Sequence, residues 1–380
     1  MEERVIEREF GELALNMGPQ HPSTHGVFRM ELHLKGETVV KVVPHIGYLH
    51  RGVEKLSETL DYDMLPPIYE RDDYLSPTSN SLAFVLAVEK LAGIDVPRRA
   101  SYLRVLVAEL QRVASHLVWL GTFGLDLGGA LGGGSTLFLY CFRERERILD
   151  LMEALTGTRF HTNMNQVGGV RYDVYPGFDR DVSKTVDYLR ERIGEYRDML
   201  ENNPVFLERT RGVGVVPSRL AKEVGASGPV IRGSGVAYDV RKSRPYSGYN
   251  EFEFKIPVGE SGDAYDRYRV RLEEMFQSLS IVTQAIEGLP DGAIHSRKPV
   301  KSALLLKPPK GDAYASVESP RGELGVFIVS DGSSKPYRVK VRSPSFSNIA
   351  LIPHIMPGHL VADTVAILGS LDPVFGDVDR

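Results

Sequence analysis

Residues 98–120, RRASYLRVLVAELQRVASHLVWL, are the stretch that decides the fold. Their apolar side chains recur at steps of three and four residues, the spacing that places them on one face of an α-helix. The positions on this face are Leu103, Leu106, Leu110, Val113, Leu117 and Leu120. The pattern predicts one long helix that buries this face in a core.

Helical patterns continue on both sides of this stretch, from about residue 47 to residue 288. The segment 76–93 begins with Ser76-Pro77, which suits a helix cap and first turn, and it ends at Gly93. The other predicted segments here are helices over 135–157, 179–202 and 264–288 and an irregular stretch with strand character over 234–259.

Strand patterns flank this helical region. Residues 11–45 predict strands separated by a Gly- and Pro-rich loop, and residues 312–342 predict an antiparallel meander that is followed by a short helix. The order predicts an α+β fold in which a central helical bundle carries both sets of strands on one flank. The predicted segments are a strand region over 1–46, the bundle over 47–290, a second strand region over 291–345 and a C-terminal helix and tail over 346–380.

Composition excludes several classes of function. The chain has 380 residues with a net charge of −4, so bulk charge gives no reason to expect nucleic-acid binding. It has one cysteine, Cys141, which cannot form an internal disulfide or hold an iron–sulfur cluster by itself. Cys141 follows an apolar run, which favours a buried, unreactive thiol.

One stretch is long enough to cross a membrane. Residues 117–142 carry a single charge, Asp126, but their centre is rich in glycine and would make a poor helix. We therefore expect two buried helices joined by a glycine-rich loop. The charged N-terminal segment, MEERVIEREF, does not have the pattern of a signal peptide.

A few polar residues stand out within these patterns. His21 and His25 lie in a proline-containing loop, which suits proton chemistry or ordinary turn polarity better than a helical metal pair. Asp126 lies among apolar residues and glycines, so it must find a partner or stay protonated. Arg51 and Glu54 are one helical turn apart, a spacing that allows an ion pair, although most such pairs are solvated and contribute little.

Three further stretches invite a specific interpretation. The segment RDDYLSP (71–77) predicts acidic capping of the following helix. The glycine-rich segment GGALGGG (128–134) does not fit a phosphate loop, because it follows a helical pattern and has no matching motif. The segment LDPVFGDVDR (371–380) crowds three aspartates into the tail, beginning with Asp372-Pro373, yet none of its side chains is soft enough to favour a transition metal.

Several long strings together resemble one known family over nearly the whole chain. They include NMGPQHPSTHGVFRM, PHIGYLHRGVEKL, RVLVAELQRVASHL, FRERERILDLMEALTG and RGELGVFIVSDGSSKPYRVKVRSPSF, followed by the terminal DP…GDVDR. In this order they resemble the D subunit of proton-pumping NADH:quinone oxidoreductase, respiratory complex I. That family is similar in fold to the large subunit of nickel–iron hydrogenases.

The resemblance implies a role for the C-terminal tail. Hydrogenase large subunits end in DPCxxC, whose thiolates hold nickel, and the matching positions here are Val374 and Asp377. No cysteine stands in the region that would supply the other ligands, so no metal is expected. The resemblance implies that the former metal site is a cavity for the quinone headgroup.

The resemblance also implies which residues form the quinone site. His25 and Tyr74 match the two family contacts to the headgroup, and Asp126 matches the aspartate that hydrogen-bonds the histidine. Arg51, Arg71 and His161 match residues near the iron–sulfur cluster of an adjacent subunit. The chain is expected to bind no cofactor alone, to use quinone as its substrate and to serve a complex that oxidises NADH.

The same resemblance implies a place in the cell and a set of partners. We expect a peripheral protein on the cytoplasmic side of the cell membrane, in contact with the small cluster-bearing subunit and with the membrane-arm subunit at the quinone entrance. Gln166 stands where the family commonly has arginine, the loop after Asp126 is long, and the stretch 289–311 is short. Short forms also occur in complexes fed by reduced deazaflavin or ferredoxin, which is one alternative, and an active hydrogenase subunit is a second.

Overall fold

A computed structural model describes residues 12–127, 135–296 and 306–380. Helices dominate the described residues, and short antiparallel strands lie near both ends of the chain. The α-helices are α1 (Val53–Ser57), α2 (Pro66–Tyr69), α3 (Pro77–Ala92), α4 (Arg98–Asp126), α5 (Ser135–Thr156), α6 (Phe178–Glu201), α7 (Pro204–Thr210), α8 (Ser218–Glu223), α9 (Pro229–Gly233), α10 (Val240–Ser243), α11 (Ala264–Glu287), α12 (Pro344–Ile349), α13 (Ile352–Ile355), α14 (Val361–Leu371) and α15 (Phe375–Asp379). The strands are β1 (Glu12–Met17), β2 (Arg29–Lys35), β3 (Thr38–His45), β4 (Asn165–Gln166), β5 (Gly169–Val170), β6 (Gly311–Ser319), β7 (Gly322–Ser330) and β8 (Arg338–Arg342).

Helix α4 is the centre of the molecule. It packs against α5, α11 and α14, and all six positions of its predicted apolar face are buried. Charged side chains on its other faces are buried as well, because neighbouring elements surround most of the helix. Helix α3 begins after Ser76 and ends at Gly93, which adopts a left-handed conformation, as the sequence predicts.

The N-terminal strands form a sheet in the order β1-β2-β3. Leu15 of β1, which pairs with Leu32 of β2, is 38% exposed. Leu32 pairs with Val42 of β3, and both are buried, so these two strands present an apolar face. This face joins the main core with α4 and α11. The loop between β1 and β2 carries His25 and is held at the edge of the helical body.

The C-terminal strands form a separate sheet in the order β6-β7-β8. They pack on α3 and α1 and bury Val317, Val326 and Val341 in a second apolar cluster. The mixed helix and sheet content confirms the α+β prediction. The two sheets bury their apolar faces in different clusters, and their position on one flank of the bundle stays a prediction.

The prediction of strand character over 234–259 is wrong. The described backbone there forms α10 and a 3₁₀ turn at Tyr249–Glu251, separated by irregular segments. Asp239 caps α10 by accepting a hydrogen bond from the N–H of Arg241, which starts a helical turn instead of a strand.

The stretch 117–142 divides as the sequence predicts. Residues up to Asp126 belong to α4 and residues from Ser135 belong to α5, while the predicted glycine-rich loop, 128–134, lies outside the described residues. Cys141 is buried, and burial raises the pKa of its thiol. Leu139, however, is 62% exposed, so the start of α5 is only partly buried. Among the described helices, we find none long and apolar enough to cross a membrane.

Candidate functional site

The loop between β1 and β2 fixes the direction of His25. A 3₁₀ turn at Pro22–Thr24 ends at His25, whose φ of 58° lies in the left-handed region. The hydroxyl of buried Thr24 lies 2.7 Å from the carbonyl oxygen of His21 and 2.9 Å from that of Gly26, and these contacts close the turn. A Cβ at Gly26 would lie 2.9 Å from the ring of Phe375, so the loop packs directly on α15.

His25 and Asp126 form a buried pair. The Nε2 atom of His25 donates a hydrogen bond to Oδ2 of Asp126, and the two side chains are 10% and 8% exposed. Burial alone would lower the pKa of His25, but the hydrogen bond and charge of Asp126 outweigh it and raise that pKa. Burial also raises the pKa of Asp126, which His25 opposes. The pair can therefore hold a proton on the imidazole at a higher pH than an isolated histidine would.

Tyr74 lies between the 71–73 turn and α3. Its side chain is half-buried, and its hydroxyl makes no hydrogen bond to the part of the chain that the structure describes. Burial, followed by the charge of Asp73, raises the pKa of Tyr74, and Asp372 acts in the same direction. The charge of Asp372 also raises the pKa of His25. The charge of Asp372 therefore acts on both predicted headgroup contacts, Tyr74 and His25.

A buried cluster of charges surrounds Asp372. Arg321, in the turn between β6 and β7, lies 3.3 Å from Asp73 and 3.2 Å from Asp372, and it also donates to the hydroxyl of Ser115. The guanidinium of Arg271 lies 3.9 Å from the same Asp372 carboxylate. These arginines are fully buried. The nearby carboxylates offset most of the free-energy cost of removing their positive charges from water.

The C-terminal segment closes one wall of this region. Asp372 ends α14 in a left-handed conformation with a φ of 54°, and α15 follows. Val374 and Asp377 are buried, and Oδ2 of Asp377 accepts a hydrogen bond from the N–H of Ser345 at 3.1 Å. A Cβ at Gly376 would lie 2.4 Å from the carbonyl oxygen of Asp72, so the tail contacts the 71–73 turn directly.

The tail also anchors the loop that carries Arg51. Asp379 accepts hydrogen bonds from the N–H groups of Gly47 at 2.8 Å and Leu49 at 2.7 Å. The N–H of Arg51 donates to the carbonyl oxygen of Arg380, and its guanidinium binds Asp72. Although Arg51 opposes it, burial raises the pKa of Asp72 to about 8.

The ion pair that the spacing of Arg51 and Glu54 allows does not form. Gly52 adopts a left-handed conformation before α1 begins at Val53, so Arg51 lies outside the helix that carries Glu54. Glu54 instead binds Lys340, at 2.9 Å, and the N–H of Val341. The capping prediction for residues 71–77 is wrong, because α3 has no side-chain cap. Asp73 accepts from the N–H groups of Leu75 and Ser76, which precede the helix, and Asp72 pairs with Arg51.

Arg71 and His161 lie together on the face that also carries Arg51. Burial lowers the pKa of His161, and the charges of Arg71 and Arg51 lower it further. The buried carboxylate of Glu70 accepts from the N–H of Asn163 at 3.1 Å and so holds the loop of His161 against α2. Burial raises the pKa of Glu70 to about 7. The structure therefore groups His25 with Asp126, and Arg51 with Arg71 and His161.

The arrangement contains no built metal site in the described ranges. We find no group of three or more histidine, cysteine, aspartate or glutamate side chains there that could hold a metal ion. Val374 has no donor atom, and Asp377 is engaged by the 343–345 segment. Sequence reasoning did not select Arg321 or Arg271, because an arginine at a strand turn or on a helix face resembles ordinary surface charge.

Known proteins resemble the chain over almost its whole length. The family model described as "Respiratory-chain NADH dehydrogenase, 49 Kd subunit" matches residues 132–380. A D subunit of NADH-quinone oxidoreductase from Roseiflexus sp. (strain RS-1), the one numbered 2, is 50% identical over 392 residues, which cover 97% of this chain and 93% of the relative. The D subunit of Desulforamulus reducens is 49% identical over 368 residues, covering 97% and 98%, and that of Geobacter sulfurreducens is 46% identical over 391 residues, also covering 97% and 98%.

Proposed function

This chain belongs to the 49 kDa subunit family of respiratory-chain NADH dehydrogenase, and from that membership we propose that it is the quinone-site subunit of an NADH:quinone oxidoreductase, complex I. The observation that carries the site proposal is the hydrogen bond between the largely buried side chains of His25 and Asp126. It supplies a histidine whose pKa is raised, and the hydroxyl of Tyr74 makes no hydrogen bond to the described residues. Both lie next to the charge cluster of Asp372.

Reduction of a quinone to a quinol takes up two electrons and two protons. A single buried cysteine cannot hold an iron–sulfur cluster, so the electrons must reach the quinone from a neighbouring subunit. We propose that the small cluster-bearing subunit supplies them, next to the face of Arg51, Arg71 and His161. His25 and Tyr74 hydrogen-bond the two carbonyl oxygens and donate the protons.

Proton transfer from His25 changes the electrostatic surroundings of Asp126. While His25 is protonated, the carboxylate has a cationic partner, and the hydrogen bond fixes the orientation of the imidazole. When His25 gives its proton to the reduced quinone, Asp126 must move, take up a proton or find another cation, because an unpaired buried charge is costly. The raised pKa of Asp126 favours proton uptake, which links quinone reduction to a displaced charge.

We also propose that the fold is that of a nickel–iron hydrogenase large subunit. The contact between Gly376 and Asp72 supports this proposal, because it brings together the two segments that would carry the metal ligands. Val374 and Asp377 stand at two of those positions. On this proposal the metal frame is retained and its ligands are replaced, and the segments 1–46, 47–290, 291–345 and 346–380 are its structural units.

The remaining parts of the proposal concern the assembly. We place the chain at the cytoplasmic side of the cell membrane as a peripheral subunit, in contact with the membrane-arm subunit at the quinone entrance. The similar protein of Desulforamulus reducens aligns over 368 residues and is named for NADH, so a short chain does not itself indicate a deazaflavin or ferredoxin donor. Stoichiometric nickel in the purified complex, bound to this chain, would favour the hydrogenase alternative.

Removal of the Tyr74 hydroxyl tests the quinone contact. A hydrogen bond contributes about 0.5–1.5 kcal/mol net, so Tyr74→Phe should raise the KM for a short-chain quinone roughly two- to tenfold. The measurement is steady-state quinone reduction by the purified complex. Tyr337→Phe, at a tyrosine that is 67% exposed, is the matched control and should leave KM unchanged. A normal KM and rate in Tyr74→Phe would remove Tyr74 from the site.

A further inference from the structure

Gly369 lies in helix α14, directly beneath the His25–Asp126 pair. A Cβ at Gly369 would lie 2.7 Å from Oδ2 of Asp126, 3.0 Å from Cδ2 of Phe123 and 3.4 Å from Nε2 of His25. The first contact is too short for any side chain to be added without movement of the carboxylate. The backbone of α14 at Gly369 therefore packs directly against the His25–Asp126 pair.

The position of Gly369 is fixed by α4. The indole N–H of Trp119 donates to the carbonyl oxygen of Gly369 at 2.7 Å. Trp119, Phe123 and Asp126 are spaced by four and three residues, so they lie on one face of α4. The ring centres of Trp119 and Phe123 stack at 5.1 Å, and the guanidinium of Arg271 lies 4.5 Å from the centre of the Trp119 ring. One face of α4 thus carries the Asp126 carboxylate and also binds the Gly369 backbone that packs against it.

We propose that Gly369 is a positioning residue for the proton donor His25, acting through Asp126. This inference rests on the proposed function. The missing side chain lets α14 approach the carboxylate closely enough to prevent it from turning away from the imidazole. The hydrogen bond from the indole of Trp119 to the Gly369 carbonyl holds the α14 backbone in this position. Gly369 does not itself touch the quinone in this proposal.

Two other ionisable groups face the His25–Asp126 pair and could affect the pKa of His25 if the Asp126 carboxylate moved away. His21, from the same loop as His25, acts on Asp126, and Asp372, at the end of α14, acts on His25. Neither replaces the hydrogen bond of Asp126. A methyl group at position 369 would push the carboxylate from His25, and the imidazole would then lose its proton at a lower pH.

The test is Gly369→Ala in the assembled complex, with Gly194→Ala as its control. Gly194 is a glycine within helix α6, and no atom lies within 4 Å of the place that an added methyl group would take, so it gains the same helix propensity without a clash. We expect Gly369→Ala to lower kcat several-fold at neutral pH, with a smaller change in KM, and to move the pH optimum downward. Gly194→Ala should match the unaltered complex. An unchanged pH profile and kcat in assembled Gly369→Ala would overturn the proposal.

A double variant separates this proposal from the proposed function. If Gly369 acts through Asp126, Gly369→Ala should have almost no further effect in an Asp126→Asn background, whereas additive losses would contradict that route. No effect of Asp126→Asn itself would instead count against the proposed function. If Gly369→Ala does not assemble, Trp119→Phe decides, because it removes the bond to the Gly369 carbonyl. A downward move of the pH optimum in that variant supports the proposal, and an unchanged optimum contradicts it.

Discussion

Replacing Arg321 with methionine is expected to cost about 3–5 kcal/mol of folding free energy, the usual cost of removing one partner from a buried ion pair. Arg321 lies between Asp73 and Asp372 and is fully buried. Methionine fills part of the space but leaves two buried carboxylates without this cation.

The loss should depend on pH in a defined direction. Burial raises the pKa of Asp73 to about 6, and the charge of Arg321 opposes that rise. Without Arg321, the folded-state pKa of Asp73 should increase further, so the folded variant binds a proton that the unfolded chain releases. The destabilisation is therefore largest above this raised pKa and becomes smaller as the pH falls through it.

The measurement is the fraction of the chain recovered in assembled complex, together with thermal inactivation at two pH values. Arg338→Met provides the control, because Arg338 is 50% exposed and its ion pairs with Glu54 and Glu58 lie at the surface. Such pairs contribute about 0–1 kcal/mol. Equal recovery and inactivation of the two variants would contradict the structural role assigned to Arg321.

Asp126→Asn is expected to slow quinone reduction at neutral pH roughly tenfold or more, within the range that a positioned proton donor contributes. Asparagine keeps much of the shape and one acceptor oxygen, but it removes the negative charge that stabilises the imidazolium. The pKa of His25 should then fall toward or below its ordinary value of about 6.5. Because the proton donor must be charged, the optimum should move to lower pH.

The pH–rate profile of the purified complex, measured with saturating quinone, checks this prediction. Asp187→Asn is a suitable control, since Asp187 is an exposed carboxylate within α6. It should leave the profile unchanged. A normal profile in Asp126→Asn, with normal assembly, would leave Asp126 as a structural residue and remove the paired proton donor from the mechanism.

Local patterns predicted the helical body well. The bounds of α3 follow from Ser76, Pro77 and Gly93, and the apolar periodicity of α4 determines its buried face. Local patterns failed where a single backbone conformation decides the outcome. Gly52 turns left-handed before α1 and separates Arg51 from Glu54, and the cap of Asp239 replaces a predicted strand with a helical turn.

The site was predictable only through the family resemblance. Nothing local to His25 indicates that its partner is Asp126, and nothing near Gly369 indicates that a carboxylate lies above it. The resemblance named His25, Tyr74 and Asp126, and the structure brings the first and last into contact. Arg321 was missed because its importance comes from two carboxylates in distant segments, which no periodicity reveals.

The separation in sequence of these contacts has a consequence for the order of folding. His25 and Asp126 are 101 residues apart, Arg321 and Asp73 are 248 apart, and Trp119 and Gly369 are 250 apart. Each contact closes a long loop, whose entropic cost must be met before the contact can contribute. The hairpins β2-β3 and β6-β7 close only short turns and can form much earlier. These contacts are therefore among the last parts of the chain to form, and a partner that recognises the surface they create can bind productively only after these closures.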